Sequence, residues 1–203
     1  IDDEVCQEAS RQEIIRRYYQ ALGRLAKDKG TQDEVYKIEL LMKQAKITPE
    51  YRPVVPTANN LAKETKAPAA ALELPDGKIV TGKTTALLGA SSAVLLNAVK
   101  ELGGIPDETL LISPTFIEPI QHLKTEYLGS KNPRLHTDEV LTALSMCAAS
   151  DENARRALEQ LPLLRGCQVH TSVMLSSVDV KTFHALGIQL TSEPIYEDKK
   201  LYH

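Results

Sequence analysis

The sequence predicts an α/β protein in two parts: a helical subdomain over residues 1–67 and a three-layer αβα sandwich over residues 68–203. Up to Ala67-Pro68 the apolar residues recur at helical spacing. Beyond that point, runs of strand length alternate with helical ones, and turn residues mark each change. Strands separated by helices require a sheet covered on both faces.

Val5, Ala9, Ile14, Ile15, Tyr18, Tyr19, Leu22 and Leu25 trace one face of a long helix that ends near Gly30. Thr31 and Glu34 form a capping box for a second helix, whose apolar face is Val35, Ile38, Leu41, Met42 and Ala45. Thr48-Pro49-Glu50 opens a third element, since proline suits a first helical position. Pro53 and Pro56 predict an irregular stretch, with a short helix only from Asn59 to Lys66.

Ala69–Leu74 and Lys78–Thr81 read as strands joined through the Pro75-Asp76-Gly77 turn into a hairpin. Ala86–Leu102 is too apolar for a solvent-facing helix. Thr109–Ile112 reads as a short strand, and Ser113-Pro114 caps a helix that Pro119 either kinks or truly starts. A polar loop over Gly129–Arg134 follows. Thr137 then caps one helix and Ser150 the next. Cys167–Met174 reads as a strand, Asp179–Leu186 as a helix and Ile188–Thr191 as the last strand, before a polar, basic tail over Tyr196–His203.

Composition excludes several function classes. The net charge over 203 residues is −3, with basic and acidic residues interspersed, so no stripe for nucleic acid is expected. No apolar run approaches the ~18 residues of a membrane span. The chain opens on Ile1 with Asp2, Asp3 and Glu4 where a secretory leader would be basic, so no signal peptide is read, Ile1 is expected to be a cut within a longer protein, and a cytoplasmic location is expected. Cys6, Cys147 and Cys167 lack metal-ligand or CxxC spacing and are expected to be buried free thiols. No metal and no cofactor is implied.

Gly77-Lys-Ile-Val-Thr-Gly82-Lys83-Thr84 matches the pattern GxxxxGK[ST]. A phosphate loop needs a strand before its first glycine and a flexible cradle after it. Here Gly77 sits in a turn and the residues after it prefer a strand, so the pattern reads as part of the hairpin. Lys83 and Thr84 still precede a helix start rich in small residues. That start suits either an anion or close helix–sheet packing. His170 and His184 read as packing histidines. His122 and His136 flank the densest polar stretch, which runs from Lys124 to Glu139 and includes Lys131 and Arg134. Functional groups collect in such loops.

The hairpin Ala69-Ala-Ala-Leu72 through Asp76-Gly77-Lys-Ile79-Val-Thr81-Gly82, followed by an apolar helix, a strand and a Ser-Pro turn, resembles the cytidine-deaminase-like fold. In that fold the helix bears a zinc ligand and a glutamate, and the later turn bears Pro-Cys-x-x-Cys. Here those places read Ala90-Ser-Ser-Ala-Val-Leu-Leu-Asn97 and Ser113-Pro-Thr-Phe-Ile117, so no zinc chemistry is expected. The segments Tyr36–Ala45, Ala69–Thr84, Pro119–Val140 and the ending Lys199-Lys-Leu-Tyr-His203 resemble the C-terminal part of an uncharacterised bacterial family, domain of unknown function 1846. The resemblance implies a considerably longer protein with a glycine-rich, phosphate-loop-like N-terminal region. It also implies a division of this half into helical and deaminase-like pieces, and no established activity or catalytic residue.

The resulting expectation is a half-site. Lys83, Thr84, Ser113, Lys124, Lys131, Arg134 and His136 contribute to a pocket for a phosphorylated metabolite or nucleotide, completed by the N-terminal region of the same protein. The alternatives are a structural or oligomerisation module that forms a homo-oligomer, and a degenerate nucleoside binder with its pocket near Ser91 and Ser113. No catalytic residue is assigned.

Overall fold

A computed structural model describes residues 2–197. Ile1 and the tail from residue 198, including the ending Lys199–His203, lie outside the described residues. The element order is α1 (Asp2–Ala26), α2 (Gln32–Gln44), a 3-10 turn (Pro49–Tyr51), α3 (Val54–Thr65), β1 (Ala69–Glu73), β2 (Ile79–Lys83), α4 (Ala90–Leu102), α5 (Pro114–His122), a π turn (Leu123–Tyr127), α6 (Thr137–Ala148), α7 (Glu152–Leu158), a second 3-10 turn (Leu161–Leu164), β3 (Gln168–Thr171), α8 (Ser177–Ala185) and β4 (Gln189–Ser192). Among the described residues no helix is long and apolar enough to cross a membrane.

The four strands form one mixed sheet in the order β2-β1-β3-β4. β1 runs antiparallel to both neighbours, and β3 and β4 are parallel. β2, β3 and β4 therefore all end at one rim, where β1 begins.

The alternation of β1 decides the layering. Ala70 and Leu72 point into the main core, with Val94, Leu95, Val99 and Val169. Ala71 points the other way, against Val54 and Ala58 of α3. The sheet is covered by α4, α6, α7 and α8 on the first side and by α3 and α1 on the second. A smaller core ties α1 to α2 through Ile15, Tyr19, Met42 and Ile47, with Val55 of α3.

Gly82 is where α4 meets the sheet. A Cβ there would lie 2.3 Å from the Val94 backbone nitrogen and 2.8 Å from the carbonyl carbon of Ala93. The glycine of the GxxxxGK[ST] pattern thus serves close helix–sheet packing. Gly77 occupies the hairpin turn with φ +85°, a conformation glycine adopts without strain.

Several elements differ from expectation. α3 starts at Val54, not Asn59, and runs through Pro56. Pro56 sits in the first turn, where backbone N–H groups have no helical acceptor, so its missing donor is harmless. α4 starts at Ala90, not Ala86, because Thr85 Oγ1 accepts from the N–H groups of Leu87 and Leu88 and holds that stretch as a turn. Thr109–Ile112 is not a strand. Leu111 and Ile112 enter the core from an irregular segment that never joins the ladder. Pro119 lies inside α5. The caps of α6 and α7 are His136 and Asp151, each one residue from the expected position. Cys6 is exposed, whereas Cys147 and Cys167 are buried.

Gly82→Ala is expected to force α4 away from β2 and to destabilise the fold by at least ~2 kcal/mol, measured by urea unfolding. Gly104→Ala is the control. It has φ +59° and open space around it, so it carries only backbone strain and should cost less.

Candidate functional site

At the rim where β2 and β3 end, three helices begin. Gly89, Ala90 and Ser91 at the start of α4, His136 at the cap of α6, and Ser176 and Asp179 at the start of α8 line one cleft. Pro68, Thr84, Asn132, Arg134, Thr171 and Glu197 complete its polar wall. The volume of the cleft is about 70 Å³. That accommodates a phosphoryl or carboxylate group but not a whole nucleotide, since sites for drug-sized ligands are typically ~300 Å³ or larger. Helix starts present free N–H groups and the positive end of the backbone dipole, and so favour anions.

The expected site residues divide between the cleft and its surroundings. Thr84, Arg134 and His136 line the cleft together. Lys124 stands behind it. Its buried ammonium donates to the Arg134 carbonyl at 2.6 Å and to Glu139 Oε2 at 2.7 Å, fastening the polar loop to α6. Lys83 is the exposed last residue of β2, next to the lining. Lys131 is exposed on the loop. Ser113 caps α5, where its Oγ accepts from the Thr115 N–H, and it does not line the cleft.

The polar loop is internally bonded. Asn132 Oδ1 accepts from the Arg134 N–H, and Ser130 Oγ accepts from the Asn132 N–H. Leu135 N–H donates to the Leu87 carbonyl and forms a short parallel bridge with Leu88. Arg134 Nε donates to the Thr85 carbonyl at 3.0 Å, and its Nη1 meets Glu197 at 2.6 Å.

Sequence reading missed Asp179. Its buried carboxylate accepts from the Thr137 N–H and hydroxyl, each at 2.9 Å, and from Ser176 Oγ at 2.9 Å. Its Oδ2 lies 3.1 Å from His136 Nδ1. The only signal was a Ser-Ser-x-Asp helix start, which ordinary capping already explains. Burial opposes the charge on Asp179, yet the bonds from His136, Thr137 and Ser176 outweigh it and hold the carboxyl below its usual range. The bond to Asp179 in turn raises the His136 pKa, against a lowering by burial. With Nδ1 held between Asp179 and Ser176, the His136 side chain stands in the wall of the cleft.

A second polar cluster also went unseen, on the α1–α3 side of the sheet. Glu193 Oε1 accepts from Asn59 Nδ2 at 2.7 Å, from the Tyr19 hydroxyl at 3.2 Å and from His170 Nε2 at 3.2 Å. Burial lowers the His170 pKa, against the raising effect of Glu193. His170 Nδ1 lies 2.8 Å from the Thr191 hydroxyl, which also reaches the Val169 carbonyl. His170 is thus a satisfied interior histidine, as expected, whereas His184 is exposed on α8. Among the described residues no group of His, Cys, Asp and Glu could hold a metal ion.

Family models match nearly the whole chain. The C-terminal model of the domain of unknown function DUF1846 matches residues 50–202, and the N-terminal model of the same family matches residues 1–46. The chain belongs to the DUF1846 family. It is 58% identical over 201 residues to a UPF0371 protein of Corynebacterium efficiens, covering 99% of this chain and 41% of the relative. A UPF0371 protein of Corynebacterium glutamicum is 54% identical, covering 100% of this chain and 41% of the relative. One of Streptococcus thermophilus is 48% identical, covering 99% and 41%. The chain therefore spans about two-fifths of the length of the curated relatives it matches.

The His136–Asp179 pair has a defined pH window. The raised His136 pKa contributes stability that is complete below the ordinary histidine value and fades as pH rises through the folded pKa. The lowered Asp179 pKa contributes stability that is complete above the ordinary aspartate value and fades as pH falls. Asp179→Asn is expected to destabilise by about 2–3 kcal/mol. In urea unfolding the gap from the parent should be widest between about pH 4 and 6.5. The same substitution should lower the His136 titration midpoint, followed by NMR of the ring Cε1 proton.

Proposed function

We propose that the rim cleft binds the phosphoryl group of a small phosphorylated metabolite or nucleotide. The observation that carries this reading is the meeting of Arg134, His136 and the start of α4 in one small cleft. The guanidinium supplies donors beyond those held by Thr85 and Glu197, the His136 ring a further one, and the α4 start the positive end of its dipole. The raised His136 pKa keeps a larger fraction of the ring cationic near neutrality. Ser91 and Thr84 add hydroxyls at the α4 start.

The size of the cleft limits it to the anionic group, so the rest of the ligand lies outside, against another part of the longer proteins. Glu197 already neutralises part of the Arg134 charge. An arriving anion shares or displaces it, which makes the site weak in the isolated chain. We read the β1–β2 hairpin followed by α4 as a deaminase-like arrangement without zinc ligands. The hairpin pairing and the packing of α4 on β2 support that reading.

The test is thermal unfolding with inorganic phosphate, against sodium chloride at equal ionic strength. For a Kd of about 1 mM, 10 mM phosphate should raise Tm by roughly 3–5 °C. Arg134→Gln should abolish the shift, and Glu197→Gln should enlarge it. Equal Tm in phosphate and chloride for the parent and for Glu197→Gln would rule the reading out.

A further inference from the structure

The start of α1 is a helix with little packed against it; among the described residues the Tyr51 hydroxyl reaches Glu8 from outside the helix. Residues 3–10 are exposed, although the residues of two successive turns point in every direction. Val5 is 64% exposed, and Ala9 and Cys6 are exposed as well. Two unsupported turns of helix are marginal in water, because helix in proteins draws most of its stability from packing.

Clefts flank this segment on both sides. One, about 840 Å³, lies between α1 and the starts of β3 and β4, walled by Gly166, Gln168 and Gln189. The other, about 360 Å³, lies between α1 and the end of α2 at Ala45. The larger cleft has unmet hydrogen-bonding capacity in its wall. Gln12 is 8% exposed and lines it, and among the described residues neither Gln12 Oε1 nor Gln168 Oε1 has a partner. Arg52 is fully buried nearby, and among the described residues its Nε and Nη1 are unpaired while Nη2 bonds the carbonyls of Val169 and Gln189. Unpaired buried polar atoms are costly, so the surroundings of this cleft are incompletely satisfied in the isolated chain.

The family match says what covers it. Residues 1–46 belong to the N-terminal DUF1846 domain, and the larger part of each relative lies beyond the match. The C-terminal model runs to residue 202, which leaves that larger part on the N-terminal side. We infer that the free start of α1 is the docking element for the preceding part of the N-terminal domain, which wraps the helix and fills both clefts. The incoming chain supplies apolar side chains to Val5 and Ala9 and covers the polar walls of the two clefts. This inference is independent of the rim cleft, which lies at the other end of the strands.

Hydrogen–deuterium exchange tests it, comparing the 203-residue chain with the full-length relative from Corynebacterium efficiens. Amides in the peptide covering residues 3–10 should exchange quickly in the chain. The aligned peptide of the relative should exchange on the order of 100-fold more slowly, while peptides of α6 behave alike in both. Equally fast exchange in the relative overturns the inference. So does slow exchange in the dilute, monomeric 203-residue chain, which would mean the helix start needs no partner. Protection of the chain that grows with concentration, together with a dimer mass by light scattering, assigns the surface to a second copy and overturns it too.

Discussion

The architecture depends on β1 being packed from both sides. Its sequence Ala69-Ala-Ala-Leu72 offers side chains small enough for α3 to settle on one face and α4 on the other. Gly82, level with Ala70 across the hairpin, removes the last Cβ that would hold α4 off the sheet. Close approach on both faces brings the start of α4 to the same rim as the ends of β2 and β3. The cleft follows from that placement, because its wall is built from helix starts and strand ends.

Polar groups at the rim are held by one another. Asp179 joins the starts of α6 and α8 through Thr137, Ser176 and His136, and Lys124 joins the loop carbonyl of Arg134 to Glu139. Glu139 also accepts from the His136 N–H and so closes the cap of α6. These bonds fix His136 and Arg134 on well-supported backbone. On the opposite side of the sheet, Glu193 gathers Tyr19, Asn59 and His170, so the chain beyond β4 is fastened to α1 and α3.

Much of this was legible in the residues and some was not. The hairpin was readable because Pro75-Asp76-Gly77 demands a turn and the flanking residues prefer strands. The same reasoning separated Gly77–Thr84 from a phosphate loop. Thr109–Ile112 misled, since a short apolar run has the same pattern whether it pairs in a ladder or only fills core. The start of α3 misled because Pro56 breaks a helix interior but not a first turn. At the cleft, the dense polar stretch pointed to Arg134 and His136. It could not point to Asp179, which is distant in sequence and disguised as an ordinary cap. Lys124 looked like a ligand group, yet its ammonium is bonded to the Arg134 carbonyl and to Glu139, and composition alone cannot separate those uses.

The middle of the sheet also has a temporal consequence. Ala69 N–H reaches Ser172 Oγ across 103 positions of sequence, and the whole pairing of β1 with β3 spans a comparable loop. The hairpin and α4 are local and can assemble early, but one edge of β1 stays open until the region of β3 has been synthesised. Long-range pairing of this kind is slow, and an open strand edge invites wrong partners in the meantime. The alanines of β1, which make the finished sheet so closely covered, also make that waiting edge only weakly adhesive.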